Sequence, residues 1–167
     1  LITLRPILCV RNCSEKKENK NTGELKEFAE KRKAGFVELC AKLEAEIAEL
    51  PAEERSVFLK ELGEEAAGLE KVILASKKLL DLVSFFTVAG KNEIRSWMVK
   101  RGTPAPKAAG KIHTDMEKGF IRAEVYSFEA LDKCESEAVL RDRGLVRCEG
   151  RDYAIKEGDV CLFRFNV

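Results

Sequence analysis

Apolar runs alternate with amphipathic stretches over the first fifty residues. The run "RPILCV" ends in the polar cluster "RNCSEKKENKNTG", which is typical of a buried strand in a parallel sheet. "ELKEFAEKRKA" then has the apolar spacing of a helix, "GFVELC" is a second apolar run, and "AKLEAEIAEL" is a second amphipathic helix. The order strand, helix, strand, helix predicts two parallel strands joined by a right-handed crossover.

Helical periodicity dominates the next segment. Pro51 opens "PAEERSVFLKELG", which has acidic residues near its start and Gly63 near its end, so we predict a helix there. "GLEKVILASKKLLDLVSFF" predicts a longer helix. Its apolar positions at helical spacing suit core or interdomain packing; they are Leu69, Val72, Ile73, Leu79, Leu80 and Val83.

The pattern changes after "TVAGKN" to short strands mixed with short helices. "EIRSWMV" and "GFIRAEVYSF" predict strands, whereas "TPAPKAAGKIH", "EALDKC" and "SEAVLRDRG" predict helices. The tail "LVRCEGRDYAIKEGDVCLFRFNV" predicts three strands separated by turns. The sequence therefore predicts an α+β fold with a C-terminal module of about 80 residues, beginning near residues 85–92.

Composition narrows the class of protein. The chain is 45% hydrophobic and 35% charged with a net charge of +1, which gives no general attraction to nucleic acid or membrane. The longest nearly apolar stretch, "KLLDLVSFFTVAG", falls far short of the ~20 residues that cross a bilayer. Six cysteines without a C-x-x-C pair favour a reduced, cytoplasmic setting and no metal site. Because the chain begins without Met inside an apparent strand, we expect it to be part of a longer protein.

Catalytic chemistry finds little support in the residues. His113 is the only histidine, and with Asp115 it supplies at most two of the three groups of a hydrolytic triad. Together with Glu117 these residues favour a local turn or helix cap, so we predict no catalytic residue. The phosphate-binding pattern G-x-x-x-x-G-K-[ST] is absent from the sequence, and the chain alone is not expected to hydrolyse nucleotide.

Polar loops follow the first two predicted strands. Asn12, Cys13 and Glu15 come after the first strand, and Cys40 and Ala41 come after the second. Because parallel strands end at one edge of a sheet, these loops could bracket a planar base. The amide of Asn12 could donate and accept hydrogen bonds at a purine edge, and the backbone N–H of Ala41 could meet a ring carbonyl or nitrogen. The alternative is a pair of solvated turns.

Basic residues concentrate in one segment of this nearly neutral chain. Residues 91–122 hold eight bases and three acids, a local balance of 8 − 3 = +5. Trp97 and Phe120 lie among the bases and could stack on unpaired nucleotides if they are exposed. The alternative is that both aromatics are core residues. The candidates for RNA or ribosome binding are Arg95, Lys100, Arg101, Lys107, Lys111, Lys118 and Arg122.

Two stretches carry a family resemblance. "FTVAGKNEIRSWMVKRGTPAPKAAGKIHTDMEKGFIRAEV" and "EGRDYAIKEGDVCLFRFNV" closely resemble the C-terminal TGS domain of the YchF, or Obg-like ATPase, family of P-loop nucleotidases. "LITLRPILCVRNCSE" resembles the end of the family's G domain with its N-x-x-E motif, and "ELCAKLEAEIAEL" its base-contacting loop. The resemblance implies part of a G-domain sheet at residues 1–50, a helical connector at 51–84 and a TGS β-grasp domain at 85–167.

The resemblance also implies a function. The complete protein would bind and hydrolyse ATP, or GTP, with magnesium, and would associate with ribosomes or RNA in translation control or a stress response. Guanine-selective relatives have N-K-x-D, whereas here Cys13 stands at the lysine position and Glu15 at the aspartate position, which implies relaxed guanine specificity. This chain would carry base recognition but not the hydrolytic centre, and is not expected to hold nucleotide tightly. The alternatives are a stand-alone RNA- or ribosome-binding module and a purely structural interaction domain.

Overall fold

The computed structural model describes residues 5–14, 22–63, 66–89 and 93–166. Within these ranges the chain forms strands and helices in a mixed α+β order, as the sequence predicted. In chain order they are β1 (Leu8–Asn12), α1 (Thr22–Lys31), β2 (Gly35–Leu39), α2 (Ala41–Glu49), α3 (Ala52–Glu61), α4 (Gly68–Leu79), β3 (Leu82–Ala89), β4 (Glu93–Lys100), α5 (Ala105–Ile112), α6 (Thr114–Lys118), β5 (Phe120–Ser127), α7 (Phe128–Cys134), α8 (Glu137–Asp142), β6 (Arg147–Glu149) and β7 (Asp159–Phe165).

The chain divides into two compact units, Leu1–Leu80 and Asp81–Val167. In the N-terminal unit β1 and β2 are parallel, and α1 connects them as predicted. Helix α4 packs on both strands. The expectation of buried strands is only partly met, since Val10 is 49% exposed while Val37 is buried. In the described part of this sheet there are only two strands, and each has one edge without a neighbouring strand. Such a small sheet buries few side chains.

The long helix predicted over residues 68–86 ends earlier. α4 stops at Leu79, and Asp81 has a left-handed backbone with φ of 51°, which ends the helix. The Asp81 carbonyl accepts a hydrogen bond from the Arg101 N–H at 2.8 Å. Val83 and Phe85 then lie in β3, where both are fully buried. The apolar residues here fit both the spacing of a helix and the alternation of a strand. The pairing of β3 with β4 makes this segment a strand.

The C-terminal unit is built on a five-stranded mixed sheet with the order β4-β3-β7-β5-β6. β3 and β7 are parallel, and the other neighbouring pairs are antiparallel. One face packs on α5, whose buried alanines Ala105, Ala108 and Ala109 are part of the main core. The other face forms a smaller cluster around Tyr126 and Leu140 with residues of α7 and α8.

The segment between β6 and β7 was predicted to contain a strand, but it forms only an isolated bridge between Pro104 and Ala154. Asp159, 3% exposed, organises this segment instead, because its Oδ2 accepts from the Tyr153 hydroxyl and from the Lys156 N–H, each at 2.8 Å. Burial and the hydrogen bond to Asp159 raise the pKa of Tyr153 to about 12. Side-chain bonds to one carboxylate thus replace a regular ladder.

No helix in the described ranges has the length and apolar character needed to cross a membrane.

Candidate functional site

The two polar loops predicted at one sheet edge do meet there. β1 ends at Asn12 and β2 ends at Leu39, and these two residues are partners in the parallel register. The Asn12 Oδ1 accepts a hydrogen bond from the backbone N–H of Ala41 at 3.0 Å, across 29 residues of sequence. The side chain of Asn12 therefore joins the end of β1 to the start of α2.

This hydrogen bond changes what Asn12 and Ala41 can offer a ligand. Cys40 is the N-cap residue of α2 but makes no side-chain cap bond, so the Asn12 oxygen takes that role. Since a backbone N–H can only donate, the amide oxygen of Asn12 faces Ala41 and the amino group is left as the donor of this exposed side chain. The N–H of Ala41, which we predicted to meet a base, is bonded to Asn12 instead.

Cys13 is fixed to the neighbouring strand. Its N–H donates to the Leu39 carbonyl at 2.9 Å, and its Sγ donates to the same oxygen at 3.2 Å. The thiol at the motif's lysine position is therefore engaged with backbone. Cys40 is half-buried, and Glu15 lies outside the described residues.

Sequence reasoning missed the side chains that support this edge. Arg11 pairs with Glu38, its cross-strand partner on β2, and also donates to the Thr22 hydroxyl at the start of α1. The Arg11 side chain is 15% exposed. These bonds tie β1, β2 and α1 together directly behind the loop. A basic residue in one strand and an acidic residue in the next were visible in the sequence, but their pairing depends on the register.

The predicted basic surface is largely exposed but much of its charge is paired. Lys100, Lys111 and Lys118 are exposed. The other candidates have acidic partners close by. These pairs are Arg95 with Glu93, Arg101 with Asp81 at 3.0 Å, Lys107 with Glu117 at 2.5 Å, and Arg122 with Glu124 at 3.7 Å.

The two aromatic residues within that segment serve the core. Phe120 is 4% exposed and packs in the main cluster, as the core alternative stated. Trp97 packs partly against the same cluster and donates its Nε1–H to the Thr87 hydroxyl at 2.9 Å. β4 places Trp97 on the same side as buried Val99, which explains why the ring faces the core.

A second arginine cluster was missed. Glu124 is 8% exposed, and its carboxylate contacts Arg164 at 3.0 Å, Arg141 at 2.9 Å and Arg122 at 3.7 Å. Hydrogen bonds from Arg164 and Arg141 lower the pKa of Glu124 from 4.5 to about 2. The alternation of Arg122 and Glu124 in a predicted strand was visible, but the other two arginines come from β7 and α8.

His113 belongs to the architecture, as the cap interpretation predicted. It ends α5 and begins α6, and its Nδ1 accepts from the Asp115 N–H at 3.2 Å. Across the described ranges, no three His, Cys, Asp or Glu side chains converge in a way that could hold a metal ion. These residues offer a ligand hydrogen-bond donors, hydrogen-bond acceptors and charge.

Comparison with known proteins identifies relatives across the whole chain. The family model YchF-GTPase_C, described as "Protein of unknown function (DUF933)", matches residues 82–166. The ribosome-binding ATPase YchF of Bacillus subtilis is 45% identical over 172 residues, and that of Escherichia coli O157:H7 is 46% identical over 168. Obg-like ATPase 1 of Gallus gallus is 41% identical over 171 residues. The matches cover 99–100% of this chain but 47%, 46% and 43% of those proteins, so the chain spans about half their length.

Solved structures agree with these relatives. The Schizosaccharomyces pombe YchF GTPase has a TM-score of 0.82 and 28% identity, and the match covers 96% of this chain and 43% of that one. A GTP-binding protein from Pyrococcus horikoshii has a TM-score of 0.69 at 18% identity, covering 96% and 46%, and supports the fold alone.

Proposed function

Because the chain belongs to the YchF, or Obg-like ATPase, family, we propose that it provides the base-contacting edge and the ribosome-binding module of a purine nucleotidase. The relatives named ribosome-binding ATPases support both parts of this proposal. The complete protein would use ATP or GTP with magnesium, in the cytoplasm and on ribosomes.

The observation that carries the nucleotide part is the bond between Asn12 and Ala41. It holds the amide so that the amino group is available to donate at an exposed sheet edge. The N7 atom of adenine and of guanine is an acceptor, and this donor would suit either purine. Cys13 has no ammonium group to add, and its thiol is bonded to the Leu39 carbonyl. We therefore propose that this edge contacts purines with little preference between adenine and guanine, together with Glu15 and Cys40.

The domain identities follow from the same family. We propose that 1–50 is the end of a G-domain sheet, that 51–84 is a helical connector containing α3 and α4, and that 85–167 is a TGS domain of β-grasp type. The mixed sheet packed on α5 supports the last assignment. The structure starts its C-terminal unit at Asp81, so β3 would be the first strand of that domain.

Two substitutions at Asn12 test the nucleotide proposal. Asn12→Asp keeps an oxygen for the Ala41 N–H but loses the amino donor, whereas Asn12→Ala loses both. In the complete natural protein, whose length intact mass would establish, both variants should weaken ATP and GTP binding by about tenfold, a typical cost for a lost hydrogen bond. Only Asn12→Ala should also weaken α2. Unchanged nucleotide affinity in Asn12→Asp would refute the proposed donor.

A second candidate function is binding of RNA or ribosomes without any nucleotide activity. The exposed, basic side chains of Lys100, Lys111 and Lys118 favour it. Co-sedimentation of the 167-residue chain with ribosomes, with and without ATP, separates the two functions. A natural product of this length that binds ribosomes and neither nucleotide would support the stand-alone module. A chain without affinity for RNA or ribosomes would favour the structural interaction domain.

A further inference from the structure

We infer that Arg122, Arg141 and Arg164, arranged around Glu124, form a binding site for the phosphates of single-stranded RNA. This inference deepens the proposed ribosome-binding function and rests on it. It places the RNA contact on a sheet face. Of the three arginines at this contact, only Arg122 belongs to the basic segment at residues 91–122. The site unites three elements of the C-terminal unit, namely β5, α8 and β7.

Strand pairing places two of the arginines side by side. Arg122 on β5 and Arg164 on β7 are antiparallel partners, so their side chains leave the same face of the sheet. Glu124 follows two residues after Arg122 on that face and contacts all three guanidinium groups. Arg141 reaches the carboxylate from α8 at 2.9 Å. The three cations are thereby held around one buried anion on a rigid sheet.

The hydrogen-bond inventory shows that the cluster has donors to spare. Each guanidinium carries five N–H donors, about fifteen in all, while the Glu124 carboxylate offers about four acceptor positions. Glu137 takes two further bonds from Arg141, at 2.7 and 3.2 Å. The arginine side chains stay 45–51% exposed. Solvent-facing donors in fork geometry are what phosphate oxygens bind.

The charge balance also distinguishes this cluster from those predicted basic residues that are paired with an acid. Three arginines face two acids, Glu124 and Glu137, which leaves 3 − 2 = +1. By contrast, Arg101 and Lys107 are each paired one to one with an acid, so their local charge is zero. A phosphate approaching Lys107 must compete with Glu117, whereas a phosphate at the cluster meets excess positive charge.

Glu124 acts as a positioning residue. Its carboxylate is buried and ionised, and it fixes guanidinium groups that would otherwise repel one another. Arginine side chains lose considerable conformational entropy when they bind a ligand, and prior fixation reduces that cost. The sheet and its acid therefore prepare the three arginines for binding before RNA arrives.

An adjoining groove favours RNA over an acidic peptide. This open groove of about 470 Å³ is lined by Ile121, Arg122, Phe163, Arg164 and Phe165. Ile121 and Phe165 are 55% and 41% exposed, so apolar surface and two arginine side chains line the same open groove. An unpaired nucleotide presents the same combination, since its phosphate binds arginine and its base stacks on an aromatic ring.

Fluorescence anisotropy with a labelled uridine 12-mer tests the site in the 167-residue chain. Arg122→Gln combined with Arg164→Gln should lower the affinity at least tenfold and flatten the salt dependence by about 1.4 in log–log slope, as expected for two lost phosphate contacts on a single strand. The matched control is Lys26→Gln with Lys133→Gln, two exposed lysines outside every candidate site, which removes the same charge and should change affinity less than twofold. An equal loss in the control pair, or none in the arginine pair, would overturn the site.

Further variants separate positioning from charge and folding. Arg122→Lys with Arg164→Lys keeps the charge and should lose affinity while retaining the salt slope, because the fork geometry is gone. Glu124→Gln removes a negative charge, so a purely electrostatic surface would bind RNA more tightly. The positioning role requires weaker binding instead, and tighter binding would refute it. Trp97 fluorescence checks that each variant is folded.

Ribosome co-sedimentation distinguishes failure of the RNA site from failure of the proposed ribosome-binding function. If the wild-type chain binds ribosomes and the Arg122→Gln/Arg164→Gln variant binds RNA normally, this site is refuted and the proposed function stands. Wild-type chain that binds neither ribosomes nor RNA would refute both. Preference for polyglutamate over the 12-mer would show that the cluster receives an acidic protein segment, which contradicts the RNA assignment.

Discussion

The two units enclose their apolar residues to very different extents. Among the described residues, the buried hydrophobic side chains of the N-terminal unit are Ala29, Val37 and Ile47, whereas the main C-terminal cluster alone joins twelve buried residues from strands, helix α5 and connecting segments. Large hydrophobic side chains exposed by about half or more in the N-terminal unit include Leu69 and Ile73 on α4. Because buried apolar area is the main source of stability, the two units should differ in free energy of unfolding.

The difference matches the kind of site that each unit carries. In the N-terminal unit the candidate base contact depends on one hydrogen bond between Asn12 and Ala41 at the end of two paired strands. In the C-terminal unit two of the three clustered arginines lie on β5 and β7, which are neighbouring inner strands of a five-stranded sheet. A site on a well-packed sheet is held in its binding geometry before the ligand arrives. A site on a two-stranded sheet keeps its geometry only if further contacts stabilise that sheet.

Replacing a core aromatic should produce the largest effect. Phe85 is fully buried and meets Phe163 edge to face at 6.1 Å, so Phe85→Ala should lower the free energy of unfolding by about 3–5 kcal/mol. Phe28, 47% exposed beneath Arg32, should cost less than about 1 kcal/mol when changed to Ala. Urea titration followed by circular dichroism measures both. Equal losses of unfolding free energy in the two variants would contradict the proposed difference in stability between the units.

Acid should destabilise the C-terminal unit through Glu124. The pKa of its carboxyl is about 2 in the folded chain against 4.5 ordinarily, so its stabilisation is complete above pH 4.5 and disappears as the pH falls from 4.5 towards 2. Glu124→Gln should cost about 2 kcal/mol at pH 7 and little at pH 2, as judged by urea midpoints from Trp97 fluorescence. Exposed Glu129→Gln is the control and should leave the midpoint unchanged at both pH values.

The sequence predicted most elements because their local signals agreed with their packing. The failure at Val83 and Phe85 arose where an apolar run follows a helix with only Asp81 between them. Only the left-handed Asp81 and the pairing with β4 distinguish strand from helix there. The strand predicted near Ala154 failed for a different reason, since bonds to the Asp159 carboxylate replaced a ladder.

The candidate sites were predictable only where sequence order fixes position. Asn12 and Ala41 follow successive strands, and parallel pairing brings such loops together. The arginine cluster combines residues 122, 141 and 164, and no spacing rule links them. Counting charges along the chain located basic residues correctly but could not show which of them have acidic partners.

Amide exchange should resolve the contrast along the backbone. Protection factors in β5 and β7 should exceed those in β1 and β2 at least tenfold, which corresponds to about 1.4 kcal/mol, because the larger core must open for exchange. Hydrogen–deuterium exchange of the 167-residue chain, read by mass spectrometry of peptides, gives both values in one experiment. Equal protection would mean that the exposed side chains of the N-terminal unit do not weaken it.

The smallest expected effect comes from removing one helix-capping hydrogen bond in each unit. Asn12→Ala removes the oxygen that caps α2, a loss of about 1 kcal/mol, and because the surrounding unit is small the loss should appear as faster exchange throughout α2. Asn12→Asp keeps the acceptor and should leave α2 protected. Ser127→Ala removes an equivalent cap in the C-terminal unit, where the Ser127 hydroxyl accepts from the Ala130 N–H at 3.2 Å. There the packing of α7 residues against Tyr126 and Leu140 should confine faster exchange to the first turn, so a change throughout α7 would show that local bonds matter equally in both units.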